Sequence, residues 1–327
     1  MRSLANNARR ACSLLALFFL LLPLFSCMEK KPEGEYTFTD DLGRQVSLSK
    51  DDKVAACHAS FADCWLLCGG TLAGVTADAV EEHGLEVGDA AIIGSAKRVN
   101  VEALLSSGAT VALLSADLAA HRELEGTLEG VGISCIYFRV DTFEDYARVM
   151  GHFTAVSGRA DLYAQHVTAV GERIDALREK ILAGRDPAGN TPAGEERRVL
   201  LMRVYSSGIK AKSDDNLAGL ILKEYGVSNI ADEHPSMLED LGLEHIVATD
   251  PDVIFVLTMG SEEAAKRYLS SHIESNPAFA DLRAVKSGAY VILPKDLFHY
   301  KPNERWDESY AYLAKILYPE LFAQTQA

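Results

Sequence analysis

Residues 101–114 read VEALLSSGATVALL, and residues 243–257 read LEHIVATDPDVIFVL. Set Glu102 against Glu244 and the next twelve residues run in register without a gap. Each copy begins with a lone carboxylate and a short apolar helical stretch. A two-residue break follows, Gly108-Ala109 in one and Asp250-Pro251 in the other, and then a run of apolar residues that reads as a buried strand. A helix feeding a buried strand twice in one chain predicts two related lobes, each with a glutamate at the same point of its fold.

Working outward from the first copy, 36–49 (YTFTDDLGRQVSLS) alternates around Asp-Asp-Leu-Gly and predicts a β-hairpin. KVAACHA (53–59) reads as a buried strand, FADCWLLCG as a helix ended by Gly69-Gly70, and LAGVTA as a second strand. AAIIG (90–94), helix 100–107, strand TVALLS, helix 119–129 and strand SCIYFRV (134–140) complete an alternating lobe. Such alternation implies a parallel sheet with helices on its faces. A long helical region follows. Its second part has apolar residues at Leu162, Val167, Val170, Ile174, Leu177 and Ile181, spaced three, four or five apart. From Arg159 to Ala183 a helix would span about 37 Å, enough to cross a domain.

After Gly184 the loop DPAGNTPAGEE leads into a second alternating lobe: strand RRVLLMRV, helix NLAGLILKEYG, helix LEHIVATD, strand DVIFVL, helix SEEAAKRYLSSHIESNP, strand AYVILP and terminal helix ERWDESYAYLAKILYP. The expected fold is therefore α/β, with two Rossmann-like α/β lobes joined by a single long interlobe helix and a ligand cleft between them. The expected divisions are 1–26 for a leader, 27–36 for a tether, 37–157 for the first lobe, 158–184 for the interlobe helix and 185–327 for the second lobe.

The leader reading rests on Arg2, Arg9 and Arg10 ahead of ACSLLALFFLLLPLF, an apolar run too short and one-sided for a working membrane span. LFSC (24–27) then resembles a bacterial lipobox, which would place a lipid on Cys27 and hold the exported chain on the outer face of the cytoplasmic membrane. Without the three leader arginines, 29 Lys and Arg face 47 Asp and Glu, a net charge of −18. That sign argues against nucleic acid as a partner, since phosphate binding needs clustered positive charge. Membrane contact is expected through the lipid anchor alone. Beyond Cys12 and Cys27 the cysteines are Cys57, Cys64, Cys68 and Cys135, whose spacing fits no familiar metal pattern. They read as small buried hydrophobes, with a disulfide at Cys57 as the alternative and a metal site behind it.

There is no G-x-S-x-G elbow, no H-E-x-x-H and no phosphate loop, so no catalytic centre is expected. The nine histidines are scattered, and none pairs at metal-ligand spacing on one helix. In parallel α/β sheets ligands bind beyond the carboxyl ends of the strands. The loops there are HASF (58–61), TADAVEEHG, GSAKR (94–98), YSSGIKAKSDD (205–215), TMGSEE (258–263) and KDLFHYKPNER (295–305). They carry Lys97, Arg98, Lys210, Lys212, Lys301 and Arg305, beside His58, Phe61, Tyr205, Phe298, His299 and Tyr300. Arg and Lys bind carboxylate or phosphate, and aromatic rings supply flat apolar area, so a basic cleft for a bulky anionic ligand with planar parts is expected. His299 and Tyr300 are also residue types that ligate haem iron. Met259, after strand DVIFVL, is counted with the lining, although it reads first as a packing residue rather than a ligating one.

With lobes, linking helix and lipobox together, residues 37–322 resemble the substrate-binding lipoproteins of ABC importers, in the class that carries ferric siderophores, haem and cobalamin. The likeness lies in TFTDDLGRQVSL, the unit at Glu102, the interlobe helix, LEHIVATDPDVIFV and, most specifically, NPAFADLRAVKSGAYVILP followed by a helix closing in LAKILYPELF. The resemblance implies a non-enzymatic carrier that captures a small metal chelate, with no cofactor of its own. Its partner would be an ABC permease dimer with its ATPase, and Glu102 and Glu244 match the positions at which each lobe pairs with permease arginines. The second reading is a carrier of a free divalent metal, although the spaced His and carboxylate set of such relatives does not stand out. A tetrapyrrole-handling enzyme or chaperone is the other alternative, because the two-lobe fold is shared with chelatases.

Overall fold

A computed structural model describes residues 35–184, 197–238 and 241–323. The leader, the lipidation site at Cys27 and the loop 186–196 lie outside the described residues. The chain opens with a two-stranded sheet of β1 (Glu35–Thr39) and β2 (Gln45–Ser49), the expected hairpin.

The first lobe is a five-stranded sheet in the order β5-β4-β3-β8-β9, every pair parallel. Its strands are β3 (Val54–Ala56), β4 (Leu72–Val75), β5 (Ala91–Ile92), β8 (Val111–Ser115) and β9 (Ser134–Phe138). Between β5 and β8 lies a small antiparallel hairpin, β6 (Gly94–Ser95) with β7 (Arg98–Val99), where the sequence had suggested a plain loop. A helix Ala77–Glu81 likewise replaces the expected loop after β4. The helix expected over 119–129 is split into Ala119–Arg122 and Glu125–Glu129.

The second lobe has the order β11-β10-β13-β14, with β12 (Ser228–Asn229) beside β10. Strands β10 (Arg198–Tyr205), β13 (Val253–Thr258) and β14 (Tyr290–Ile292) run parallel. The edge strand β11 (Gly208–Ala211) returns antiparallel on β10, pairing Arg203 with Lys210 and Tyr205 with Gly208. The segment 205–215 is thus mostly a hairpin rather than the loop its sequence suggested. The segment 295–305 also carries regular structure, a helix Lys295–Phe298 and a 3-10 turn Asn303–Arg305.

The middle of each central strand is a run of apolar residues because both faces are covered. In β8, Val111 and Leu113 enter one core while Ala112 and Leu114 enter another. In β10 and β13, Val199, Leu201, Val253 and Phe255 share the first of these cores, and Leu200, Met202, Ile254 and Val256 face a third. The first core therefore runs without interruption from the inner face of one sheet to the inner face of the other. Between them it is filled by Tyr146, Met150 and Phe153 of helix Phe143–Ser157, by Val167, Val170, Ile174 and Ile181, and by Trp306, Tyr310 and Leu313 of helix Trp306–Leu317.

Val167 to Ile181 belong to one long helical run, Ala160–Tyr163, a π turn Ala164–Thr168 and Ala169–Ala183. At its first end, the Tyr146 hydroxyl of the first lobe donates to the His166 carbonyl at 3.1 Å. At its far end Arg178 donates to Glu224 of helix Leu217–Glu224 at 2.5 Å, and its guanidinium lies 5.2 Å from the Tyr310 ring. From Tyr36 onward the chain is one compact unit. All four cysteines among the described residues are free and buried, with Cys68 Sγ 3.6 Å from Met150 Sδ. Burial pushes the Cys68 and Cys135 thiols up to about 12, so they pack as apolar side chains. No described helix is long and apolar enough to cross a membrane.

Candidate functional site: the interlobe cleft

The two glutamates that opened the sequence occupy equivalent places. Glu102 is the second residue of helix Val101–Ser106, which leads into β8, and Glu244 is the second residue of Leu243–Thr249, which leads into β13. Each helix ends in a left-handed residue at the matched position, Gly108 with φ +72° and Asp250 with φ +39°. Thr110 N then donates to Lys53 O at 2.8 Å and Asp252 N to Arg198 O at 2.9 Å, which start β8 on β3 and β13 on β10 in the same register. Both carboxylates are exposed in a first helical turn, where the helix dipole favours a negative charge. Among the described residues neither has an ion-pair partner.

The carboxyl ends of the two sheets face two adjoining cavities. The larger, of ≈ 830 Å³, takes Asp78, Glu82 and Lys97 from the first lobe and Met259, Glu262 and Lys295 from the second. The smaller, of ≈ 520 Å³, takes Asp141 and Thr142 from the first lobe and Arg203, Asp215, Phe298 and Trp306 from the second. His299 and Tyr300 belong to the walls of both.

Segment 300–304 stitches the lobes together along this boundary. The Tyr300 hydroxyl donates to Glu82 at 2.5 Å, and its ring lies 4.4 Å from that of His83. Lys301 pairs with Asp141 at 3.2 Å. Asn303 Nδ2 donates to Ser60 O at 3.1 Å and to Asp63 Oδ2 at 2.6 Å. Glu304 Oε2 meets His166 Nδ1 at 2.6 Å. Burial and the Glu82 bond push the Tyr300 phenol up to about 12, so it stays protonated and donating. Burial, helped by nearby Lys295 and Arg203, lowers the pKa of His299 and favours its neutral form.

The floor of the larger cavity is fixed through His121, fully buried on helix Ala119–Arg122. Its Nδ1 accepts from Ser115 N at the end of β8 (2.8 Å), which leaves Nε2–H to donate to Ala96 O at 2.7 Å. That bond holds the β6–β7 turn bearing Lys97 against the sheet.

Of the residues nominated from sequence, Lys97, Met259, Phe298, His299, Tyr300 and Lys301 are brought together on these walls. His58 instead caps helix Ala59–Leu67, and Phe61 is core, its ring 5.7 Å from Phe138. Arg98 stands exposed on β7, and Tyr205 and Lys210 lie on the β10–β11 hairpin. Lys212 pairs with Asp215, and Arg305 pairs with Asp296 and Glu308, each at 2.8 Å.

The basic cleft expected from six cations does not form. The larger cavity sets Asp78, Glu82, Glu262 and Glu263 against Lys97 and Lys295, and most of the other nominated cations are held by carboxylates of their own. Sequence reading missed Arg203 and Trp306. The available signal for Arg203 was a single charge inside an apolar strand run. Among the described residues no three His, Cys, Asp or Glu side chains come together as a metal-holding group.

The fold has known counterparts. The petrobactin-binding protein YclQ of Bacillus subtilis superposes with a TM-score of 0.63 at 18% identity, covering 88% of this chain and 98% of that one. The periplasmic heme-binding protein RhuT of Roseiflexus sp. RS-1 gives 0.64 at 14% identity, covering 83% and 99%. The molybdate-binding protein MolA of Haemophilus influenzae gives 0.64 at 16% identity, covering 89% and 94%. At such identities the likeness is one of fold. No curated protein matches the chain in sequence. The family of periplasmic binding proteins matches over residues 54–297, which spans both sheets and every strand end that walls the cleft. By that match this chain belongs to the periplasmic binding protein family, whose members are extracytoplasmic, non-enzymatic carriers of ligands.

Proposed function

We propose that this protein is an exported, lipid-anchored carrier that captures a metal chelate (a ferric siderophore, haem or cobalamin) and delivers it to the permease of an ABC importer. The observation that carries this reading is the pair of adjoining cavities of ≈ 520 and ≈ 830 Å³ at the carboxyl ends of both sheets, walled by both lobes. Together they offer space and aromatic and charged surface for a ligand well beyond a bare ion. Fold neighbours that are a petrobactin-binding and a heme-binding protein support the same ligand class. The anchor rests on LFSC ending at Cys27 and places the carrier on the outer face of the cytoplasmic membrane.

Delivery rests on Glu102 and Glu244. A twofold permease presents two equivalent basic pockets, and a carrier with one exposed, unpaired carboxylate at the same point of each lobe complements them. Such rim charges orient and steer more than they add affinity. The test combines ligand titration of the purified protein, followed by tryptophan fluorescence, with uptake by cells carrying Glu102→Ala and Glu244→Ala together. Quenching by a ferric siderophore, haem or a corrinoid is expected, and the double variant should lose uptake while keeping its affinity. Absence of binding to all three would remove the ligand class. Loss of affinity in the double variant would make the glutamates folding or cleft residues.

A further inference from the structure

Two buried hydrogen-bond donors on the smaller cavity's wall find no acceptor among the described residues. Arg203 Nε and Trp306 Nε1 are both buried and have no acceptor among the described residues, and Trp306 is 1% exposed. Both groups can only donate, and leaving such a group unmet costs more than a hydrogen bond gains. Arg203 continues the inner face of β10 beyond Val199 and Leu201, which places it where the shared core gives way to the cavity.

The other charges on that wall are already matched. Asp141 pairs with Lys301 at 3.2 Å, Asp214 with Lys223 at 2.5 Å, and Asp215 with Lys212. Arg203 thus makes no ion pair among the described residues; Asp215 feels its charge but is bonded to Lys212, and the cross-strand neighbour Lys210 adds charge of the same sign as Arg203. Around it Leu217, Leu220 and Phe298 supply apolar wall.

We propose that this cavity is a carboxylate pocket: one free carboxylate of the ligand lies against the planar fork of Arg203, and an acceptor oxygen of the same group takes the indole N–H of Trp306. A guanidinium meets a carboxylate with two parallel bonds, and one guanidinium with no carboxylate bonded to it suits one anionic group. The proposal rests on the chelate-carrier reading and narrows it to chelates that keep a carboxylate free of the metal. Ferric hydroxycarboxylates and the propionates of haem share that chemistry, and ferric trihydroxamates lack it.

The chain has two tryptophans, and Trp65 Nε1 already donates to Thr71 O at 2.8 Å, so it serves as an internal reference. With the protein labelled at indole nitrogen, ferric citrate and haem are titrated separately, with a carboxylate-free ferric trihydroxamate as control. The carboxylate-bearing probe that binds should move the Trp306 N–H resonance and leave that of Trp65 in place, and which probe does so identifies the source of the carboxylate. Arg203→Gln should weaken that probe by about 10- to 100-fold, the loss of a charge-assisted pair, without changing any affinity for the trihydroxamate. Arg203→Lys, which keeps the charge and loses the fork, should fall between, and it decides the matter should Arg203→Gln not fold. An unmoved Trp306 resonance at saturation, or equal weakening for both ligand classes, overturns the pocket alone. Failure of every probe to bind overturns the pocket and the proposed function together.

Discussion

His58 occupies an extended N-cap position, φ −145° and ψ 130°, and its Nδ1 accepts from Ser60 N at 3.3 Å. Burial first, and then the neighbouring His121, lower its pKa from 6.5 to about 4; Lys301 and His83 act in the same direction and Asp78 opposes them. The unfolded chain would therefore take up a proton at higher pH than the folded one. Between pH 6.5 and about 4 unfolding binds a proton, so stability falls as pH falls, by up to about 3 kcal/mol from this side chain. His58→Asn keeps an N-cap acceptor and removes the titration. It should leave the melting temperature near neutrality close to that of the wild type and make it fall less between pH 6.5 and 4. Parallel melting curves across that range would show that His58 is not the group responsible. The same residue shows what sequence reading misses. A histidine at a strand's carboxyl end looks like a ligand contact, and only the cap geometry reveals that its acceptor nitrogen is already engaged.

At the scale of elements, the apolar periodicity of the long helix was legible in detail. The one gap of five residues, Leu162 to Val167, falls over the π turn Ala164–Thr168, where the wider i→i+5 turn keeps Val167 on the buried face. The matched Glu102 and Glu244 units were legible for a similar reason: break, helix and strand each leave a pattern in sequence. The β10–β11 hairpin was not, because four residues of alternation, with Ile209 and Ala211 buried and Lys210 exposed, are too few to separate from a loop. Nor were the charge pairs that dismantle the expected basic cleft, since Lys212 with Asp215 and Arg305 with Asp296 depend on folded geometry. The helix itself is open to test at Ile174, fully buried in the core shared by both sheets. Ile174→Ala removes side-chain volume that neither lobe can collapse to fill and should cost about 2–5 kcal/mol. Denaturant titration should show a lower midpoint with an unchanged slope. A cost well under 1 kcal/mol would mean that the helix lies on the lobes without holding them.

For the whole molecule, the decisive feature is that one core joins the inner faces of both sheets. Two lobes with separate cores and a flexible linker would be expected to move and melt independently. Here Val111 and Leu113 of β8, Ile174 of helix Ala169–Ala183, and Val199, Phe255 and Leu313 of the second lobe belong to one continuous apolar cluster. Segment 300–304 adds a polar seam in which Tyr300, Lys301 and Asn303 reach the first lobe and Glu304 reaches His166 of the long helical run. Moving the lobes apart would expose apolar surface and break that seam in one step, so ligand entry should involve small displacements near Tyr300 rather than a wide hinge. Unfolding should then be a single cooperative transition despite the chain's length. Far-ultraviolet circular dichroism follows both sheets and their helices, whereas in Trp65→Phe the remaining fluorescence reports from Trp306 in the second lobe. The two probes should give coincident denaturation curves. An earlier fluorescence transition would show the second lobe melting on its own, and the shared core would then not couple the two halves.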